Sequence, residues 1–299
     1  MDLISIKRKY SNIRNIIIAI FLIVLTIVLV IMIYEIYRQV LLEKVYISYS
    51  KQYEQILAEA QIKLEQQKAE EERIKKERLP NFTEQGIANM ANLYHSDTKR
   101  VFLTFDDGPS QAVTIPILDT LKQENVKATF FLLGSRVDLY PDIVKREYQE
   151  GHYLASHGYS HVYSQIYASP QSVLDEYNKG ISAIRNAIGE QEYNPHLFRF
   201  PGGFSGGKYA SIKREAAQLL AQNGITYVDW NALTSDAAGK KTTEEFIAEL
   251  EKTVPKHNSV VVLMHDAGTK KATAEALPTI ISYFRDRGFE FENFYSIIK

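Results

Sequence analysis

The chain has no cysteine. Disulfides are excluded, and any metal site has to be built from His, Asp or Glu. It also lacks an excess of charge. Lys and Arg number 35 against 36 Asp and Glu, a net charge of -1, so no global basic field is available to hold nucleic acid. There is one tryptophan, and no glycine or proline precedes Pro80. What remains is 299 residues, 45% hydrophobic and 24% charged, enough for a membrane anchor, a spacer and one folded domain of roughly 200 residues. Absence of cysteine also fits an exposed, oxidising location.

Residues 16–34, IIIAIFLIVLTIVLVIMIY, carry no charge. As a helix they span about 28 Å, close to the hydrocarbon thickness of a bilayer. A cleaved signal peptide is disfavoured, because the apolar core is too long and EIYRQV follows in place of a small-residue cleavage site. Lys7, Arg8, Lys9 and Arg14 precede the span, whereas Arg38 and Lys44 after it are mixed with Glu35 and Glu43. The positive-inside rule therefore predicts a single-pass cell-membrane protein with a cytoplasmic N-terminus and everything after the span extracellular. Residues 35–79 read as a helical stalk, about 65–70 Å long if fully helical. The heptad is irregular, which leaves only a weak stalk-mediated dimer open.

Beyond about residue 97 strands and helices alternate. Strands are expected at 101–105, 128–133, 153–156, 197–200, 225–229, 259–264 and 289–295. Helices are expected at 112–123, 141–150, 170–188, 209–222, 243–253 and 272–287. Such repetition implies parallel strands joined by right-handed crossovers, in an open doubly wound sheet or a barrel. Chemistry-bearing residues fall at the C-terminal ends of several different strands. Those ends converge in one mouth only in a barrel, so the expected fold class is α/β, a distorted (β/α) barrel of about seven strands.

Residues 101–110 read VFLTFDDGPS. Adjacent carboxylates such as Asp106 and Asp107 repel, and suit a bound cation, one ligating and the other held ionised as a base; Asp-Asp-Gly is also ordinary turn chemistry. His157 and His161 form a His-x-x-x-His pair, and two imidazoles with a carboxylate make a hydrolytic ligand set, although an exposed and a capping histidine would look the same. Arg199, in FRFPGG, is a cation at an apolar strand end and needs a partner, for which Asp106 is a candidate. The turn Pro201-Gly202-Gly203 lets backbone N–H groups approach a ligand. Trp230, after Asp229, walls a pocket or stacks on a sugar, unless it is a core aromatic. His265 closes the apolar run that contains Leu263 and suits a general acid, with Asp229 as its candidate partner. His95, His152, His196 and His257 read as surface or loop residues.

The ordered set TFDDG, HGYSH, RFPGG, DW and LMH resembles the five motifs of the NodB-homology polysaccharide deacetylases, carbohydrate esterase family 4. The resemblance runs over residues 98–299 and leaves out the anchor and stalk. It implies that Asp106 is the catalytic base, that Asp107, His157 and His161 bind one divalent metal ion, Zn²⁺ first with Co, Ni or Mn as alternatives, and that Arg199 orients the base. It further implies that Asp229 lies near the acid His265, and that Pro201, Gly202, Trp230 and Leu263 line the substrate groove. Two positions depart from the family pattern: Gly158 replaces the usual Ser or Thr, and Thr226 replaces an acid.

The expected organisation is a cytoplasmic tail (1–15), a transmembrane helix (16–34), a stalk (35–79), a linker (80–97) and a deacetylase domain (98–299). The expected activity is metal-dependent removal of N-acetyl groups from N-acetylglucosamine in a cell-wall glycan, peptidoglycan first, with release of acetate. Poly-N-acetylglucosamine or chitin-like oligomers, or acetyl-xylan, are alternative substrates. A non-catalytic glycan-binding protein is a weaker alternative, and a glycoside hydrolase is disfavoured because its two carboxyl groups must stand apart across the bond.

Overall fold

From Leu3 to Arg78 the chain is one α-helix, α1. No glycine or proline interrupts it, and Pro80 follows its end. The structure, a computed structural model, describes residues 3–298. It divides into two compact units, Met1–Arg73 and Ile74–Lys299. In the first unit α1 is long and apolar enough to cross a membrane, and none of its most apolar window is buried inside the protein.

The second unit holds the rest of the fold. In chain order its elements are α2 (Glu84–Ala91), β1 (Arg100–Asp106), α3 (Thr114–Gln123), β2 (Thr129–Leu132), α4 (Gly134–Leu139), α5 (Pro141–Gln149) and β3 (Tyr153–Ser156). Then come α6 (Tyr163–Ile166), α7 (Pro170–Ile188), β4 (Leu197–Phe198), α8 (Ala210–Gln222), β5 (Thr226–Tyr227), β6 (Ala232–Leu233) and α9 (Thr243–Thr253). The chain ends with β7 (Ser259–His265), α10 (Lys271–Arg285), β8 (Glu290–Glu292) and α11 (Tyr295–Ile298). Local chemistry sets several boundaries. Ser169 caps α7 ahead of Pro170, Gly189 ends it in the left-handed conformation, and Thr242 with Glu245 forms a capping box on α9.

All strand pairings are parallel. The order is β5-β4-β3-β2-β1-β7-β6, with β8 against the first half of β1. This is the expected distorted (β/α) barrel, left open between β5 and β6, which share no ladder among the described residues. Sequence reading missed β6, a two-residue strand, and extended the last strand through a segment that instead turns into α11.

The two faces of β1 explain where the site sits. Side chains alternate along a strand. Val101, Leu103 and Phe105 join the cluster under the outer helices, whereas Phe102 packs inside with Phe131, Tyr153, Leu197, Val261 and Phe294. Thr104 and Asp106 share the parity of Phe102. Asp106 therefore ends the strand on the inner face, at the C-terminal mouth. One histidine reading is corrected here. His152 is buried, not a surface residue: its Nδ1 accepts the Ala128 N–H at 3.1 Å, and burial, then the charges of Lys127, Arg146 and Arg78, pull its pKa down to about 3.

Candidate active site

Asp107, His157 and His161 each point one ligand atom at the same spot, all within 4.8 Å of one another. Asp107 Oδ1 lies 3.5 Å from His157 Nε2 and 3.3 Å from His161 Nε2. That oxygen is buried and has no hydrogen-bond donor among the described residues. A buried carboxylate oxygen without a donor is costly, and a cation is the partner that the two imidazoles leave room for. His157 Nδ1 bonds the Arg199 carbonyl at 2.8 Å, so that nitrogen carries the proton and Nε2 keeps a free lone pair. Two of the three residues hold unusual backbone, Asp107 at φ 75 and His161 at φ 57. Non-glycine residues in the left-handed region are strained, and such strain gathers at functional sites. The donor set and its geometry fit a divalent metal.

The loop that carries both histidines is fixed by a residue the sequence did not single out. Glu176, on α7, accepts the N–H groups of Tyr159 and Ser160 at 2.6 and 2.8 Å, and the Ser160 hydroxyl at 2.8 Å. Gly158 makes this approach practicable. Its φ is +87, and a Cβ there would stand 3.2 Å from Glu176 Oε2. The departure from Ser or Thr at 158 therefore goes with support from α7.

Beside the triad, Asp106 receives Arg199 Nη1 at 2.8 Å. Arg199 is fully buried, and its other donors reach Thr104 Oγ1 (2.7 Å) and the carbonyls of Val228 (3.0 Å) and Asp229 (3.1 Å). Its guanidinium lies 3.9 Å from the ring centroid of Phe131. Burial pushes the Asp106 pKa up, while Arg199 and then His265 oppose the rise. The pair keeps a basic carboxylate in a dry place.

His265 stands at the same level as Asp106, its direct register partner between β7 and β1. Here the sequence reading needs a correction: the partner of His265 is Asp236, not Asp229. Asp236 Oδ1 lies 2.9 Å from His265 Nδ1, and Oδ2 accepts the His265 N–H at 2.8 Å and the Thr273 hydroxyl at 2.9 Å. Burial alone would lower the His265 pKa; the hydrogen bond and charge of Asp236, with Asp106 and Asp107 beyond, outweigh it and raise the pKa to about 9. Strand order is the reason. β6 lies beside β7 and delivers Asp236 at its end, whereas β5 occupies the far end of the sheet path. Asp229 instead accepts the Phe204 N–H through both oxygens at 3.1 Å. Asp236 lay outside the motifs, and its only local signal is an acid shortly after the Asp-Trp pair. Asp266 turns to the outer side, where Thr114 donates to it at 2.6 Å.

Trp230 and Asp229 line a cavity of about 400 Å³ together with Tyr94, Phe204 and Tyr227. Phe204 and Tyr227 are stacked, with ring centroids 4.3 Å apart. Gly202, at φ +75, leaves the space into which the Tyr163 hydroxyl projects; a Cβ there would come within 2.5 Å of that oxygen. Leu263, nearly buried, sits on β7 two residues before His265. Pro201 presents its carbonyl to the Tyr167 hydroxyl at 2.7 Å.

The sequence model of the polysaccharide deacetylases matches residues 94–228. A peptidoglycan-N-acetylglucosamine deacetylase of Bacillus cereus is 33% identical over 208 residues, 67% of this chain and 70% of its own length. The peptidoglycan-N-acetylglucosamine deacetylase PgdA of Listeria monocytogenes is 35% identical over 196 residues, 64% of this chain but only 37% of its own length. Among solved structures, a Streptococcus mutans CE4 esterase superposes with a TM-score of 0.63 at 33% identity, covering 71% of this chain and 92% of that one. The chain belongs to the polysaccharide deacetylase family.

Proposed function

We propose that the protein is a metal-dependent hydrolase that removes N-acetyl groups from N-acetylglucosamine units of peptidoglycan and releases acetate. The observation that carries this reading is the donor-less Asp107 oxygen facing two imidazoles, with a held carboxylate, Asp106, and a held imidazole, His265, on adjoining strands. Asp107, His157 and His161 would hold the metal, Zn²⁺ by the character of the donor set. A divalent ion supplies Lewis acidity there and lowers the pKa of bound water to about 7.

The chain's own groups divide the proton work. Asp106, kept in place by Arg199, takes a proton from the attacking water as its oxygen bonds the acetyl carbon. The Gly203 N–H closes the turn on the Phe200 carbonyl at 2.8 Å and the Phe204 N–H is held by Asp229, which leaves the Gly202 N–H to serve the oxygen that gains charge. His265, kept protonated by Asp236, gives its proton to the nitrogen as the C–N bond breaks. Acetate and a glucosamine unit result, and exchange of protons with solvent returns Asp106 to the carboxylate and His265 to the imidazolium for the next turnover. Trp230 and Leu263 wall the groove that receives the sugar and the acetyl methyl group.

The apolar, unburied stretch 16–34 would anchor the protein in the cell membrane, with the basic N-terminus in the cytoplasm and the deacetylase domain outside, facing the wall. Similarity to peptidoglycan deacetylases favours that polymer. The test uses the full chain in detergent. It should release acetate from purified cell walls, lose that activity to a chelator and regain it with Zn²⁺. Equal or better turnover of chitin oligomers would move the substrate to a neutral glycan. Chain shortening without acetate would mean glycosidic cleavage and end the deacetylase reading.

A further inference from the structure

Against Asp236, the partner of His265, lies a cavity of about 610 Å³ that the reaction described above does not use. Two turns form its wall. One follows β6 and contributes Asp236, Lys240 and Lys241; the other follows β7 and contributes Thr269, Lys270 and Lys271. Both leave the C-terminal ends of their strands, so the cavity belongs to the same rim as the metal triad.

The lining carries four lysines against one carboxylate, that of Asp236. Both oxygens of this carboxylate are engaged by His265 and Thr273. Lys270 is turned inward by a bond from its Nζ to the Asp236 carbonyl at 2.9 Å. Lys240 leans to Glu245 at a loose 3.4 Å. Glu245 and Glu249 offset Lys240, but Lys241, Lys270 and Lys271 form no ion pair among the described residues, and their charges repel one another unless an anion joins them.

We propose that this cavity binds a carboxylate of the glycan itself, carried by the muramic sugar next to the N-acetylglucosamine being deacetylated. The carboxylate is that of the lactyl group or of the peptide joined to it. The proposal rests on the peptidoglycan reading and deepens it. Chitin and poly-N-acetylglucosamine carry no carboxylate, so a lysine-lined subsite gives a physical means of preferring peptidoglycan. Asp236 lines the cavity and also pairs with His265, so the lysines sit on the two turns that flank the proposed acid.

The test compares three substrates on the full chain: peptidoglycan fragments bearing stem peptides, the same glycan after an amidase has removed the peptides and left lactyl carboxylates, and chitotetraose. In Lys241→Gln, Lys271→Gln and the double variant, KM for carboxylate-bearing glycan should rise about threefold per lysine, and about tenfold for the pair. Chitotetraose KM and every kcat should stay put, and high salt should erase the wild-type preference. Whichever of the two carboxylate-bearing glycans shows the effect identifies the source of the anion. Unchanged KM on all three substrates, or an equal rise on chitotetraose, overturns the proposal. Equilibrium binding of the same fragments to chelated, inactive protein reads the lysine dependence without turnover. A protein that releases no acetate yet binds carboxylated glycan through these lysines would lose the activity and keep the site.

Discussion

The two proton-handling pairs of the mouth are built as opposites. On β1 a carboxylate that can take a proton, Asp106, is held by a guanidinium that never gives one up. On β7 an imidazole that can give a proton, His265, is held by a carboxylate whose pKa stays low, because hydrogen bonds from His265 and Thr273 outweigh its burial. The strands are neighbours, the two residues are register partners, and both sites are largely buried. What differs is which member of each pair is free to titrate. In the proposed reaction, acid and base are thus set by the partner rather than by the residue type alone.

The sharpest way to break this comparison is to remove the titrating member on the β1 side. Asp106→Asn keeps the shape and the triad; acetate release should fall by at least about a thousandfold. Bound metal, measured by elemental analysis, should be unchanged. On the β7 side, Asp236→Asn should lower kcat about a hundredfold, since the imidazole loses both its orientation and its charge partner. The sign of the pH effect follows from the raised pKa of about 9. In the proposed role His265 acts as the protonated imidazole, so activity should be present below its pKa and lost above it. Without Asp236 that pKa drops, and the alkaline limb of the kcat profile should move to lower pH. An unmoved limb would mean that another acid serves the amine.

His152 shows what happens to a buried imidazole that lacks such a partner. The nearest carboxylate oxygen, on Glu150, is 3.9 Å away, too far for a hydrogen bond. The ring stays neutral, its pKa lowered to about 3. The unfolded chain takes up this proton first as pH falls, so stability is full above about 6.5 and declines toward the folded pKa. Between pH 7 and pH 4.5 this group should cost about 2.5 kcal/mol, read as a shift of the denaturation midpoint that His152→Asn abolishes. A smaller effect is expected at Glu176. Glu176→Gln keeps one acceptor but loses the charge that gathers the Tyr159 and Ser160 groups. Metal affinity should weaken about tenfold while kcat at saturating metal holds.

Much of the site was legible in the sequence because its members close apolar runs. Asp106, Arg199 and His265 each end a segment that has to be strand, and a charge there has few purposes beyond the site. Local spacing also put His157 and His161 together. Asp236 escaped because β6 is two residues long and carries no periodicity. Glu176 escaped because it looks like any polar residue on an amphipathic helix. His152 was misread for the opposite reason, a histidine after glycine that resembles a turn but is folded under α5.

By itself, the order of residues determined the unbroken N-terminal helix with its apolar stretch, the strand–helix alternation and the pairing of His157 with His161. Each of these depends on neighbours a few positions away. Only the folded arrangement decided that Asp107 meets the two histidines, which carboxylate serves His265, what steadies the histidine loop and where four lysines meet. Those pairings depend on β6 lying against β7 and on α7 packing beneath the mouth, and contacts across such distances in the chain leave no periodic trace in it.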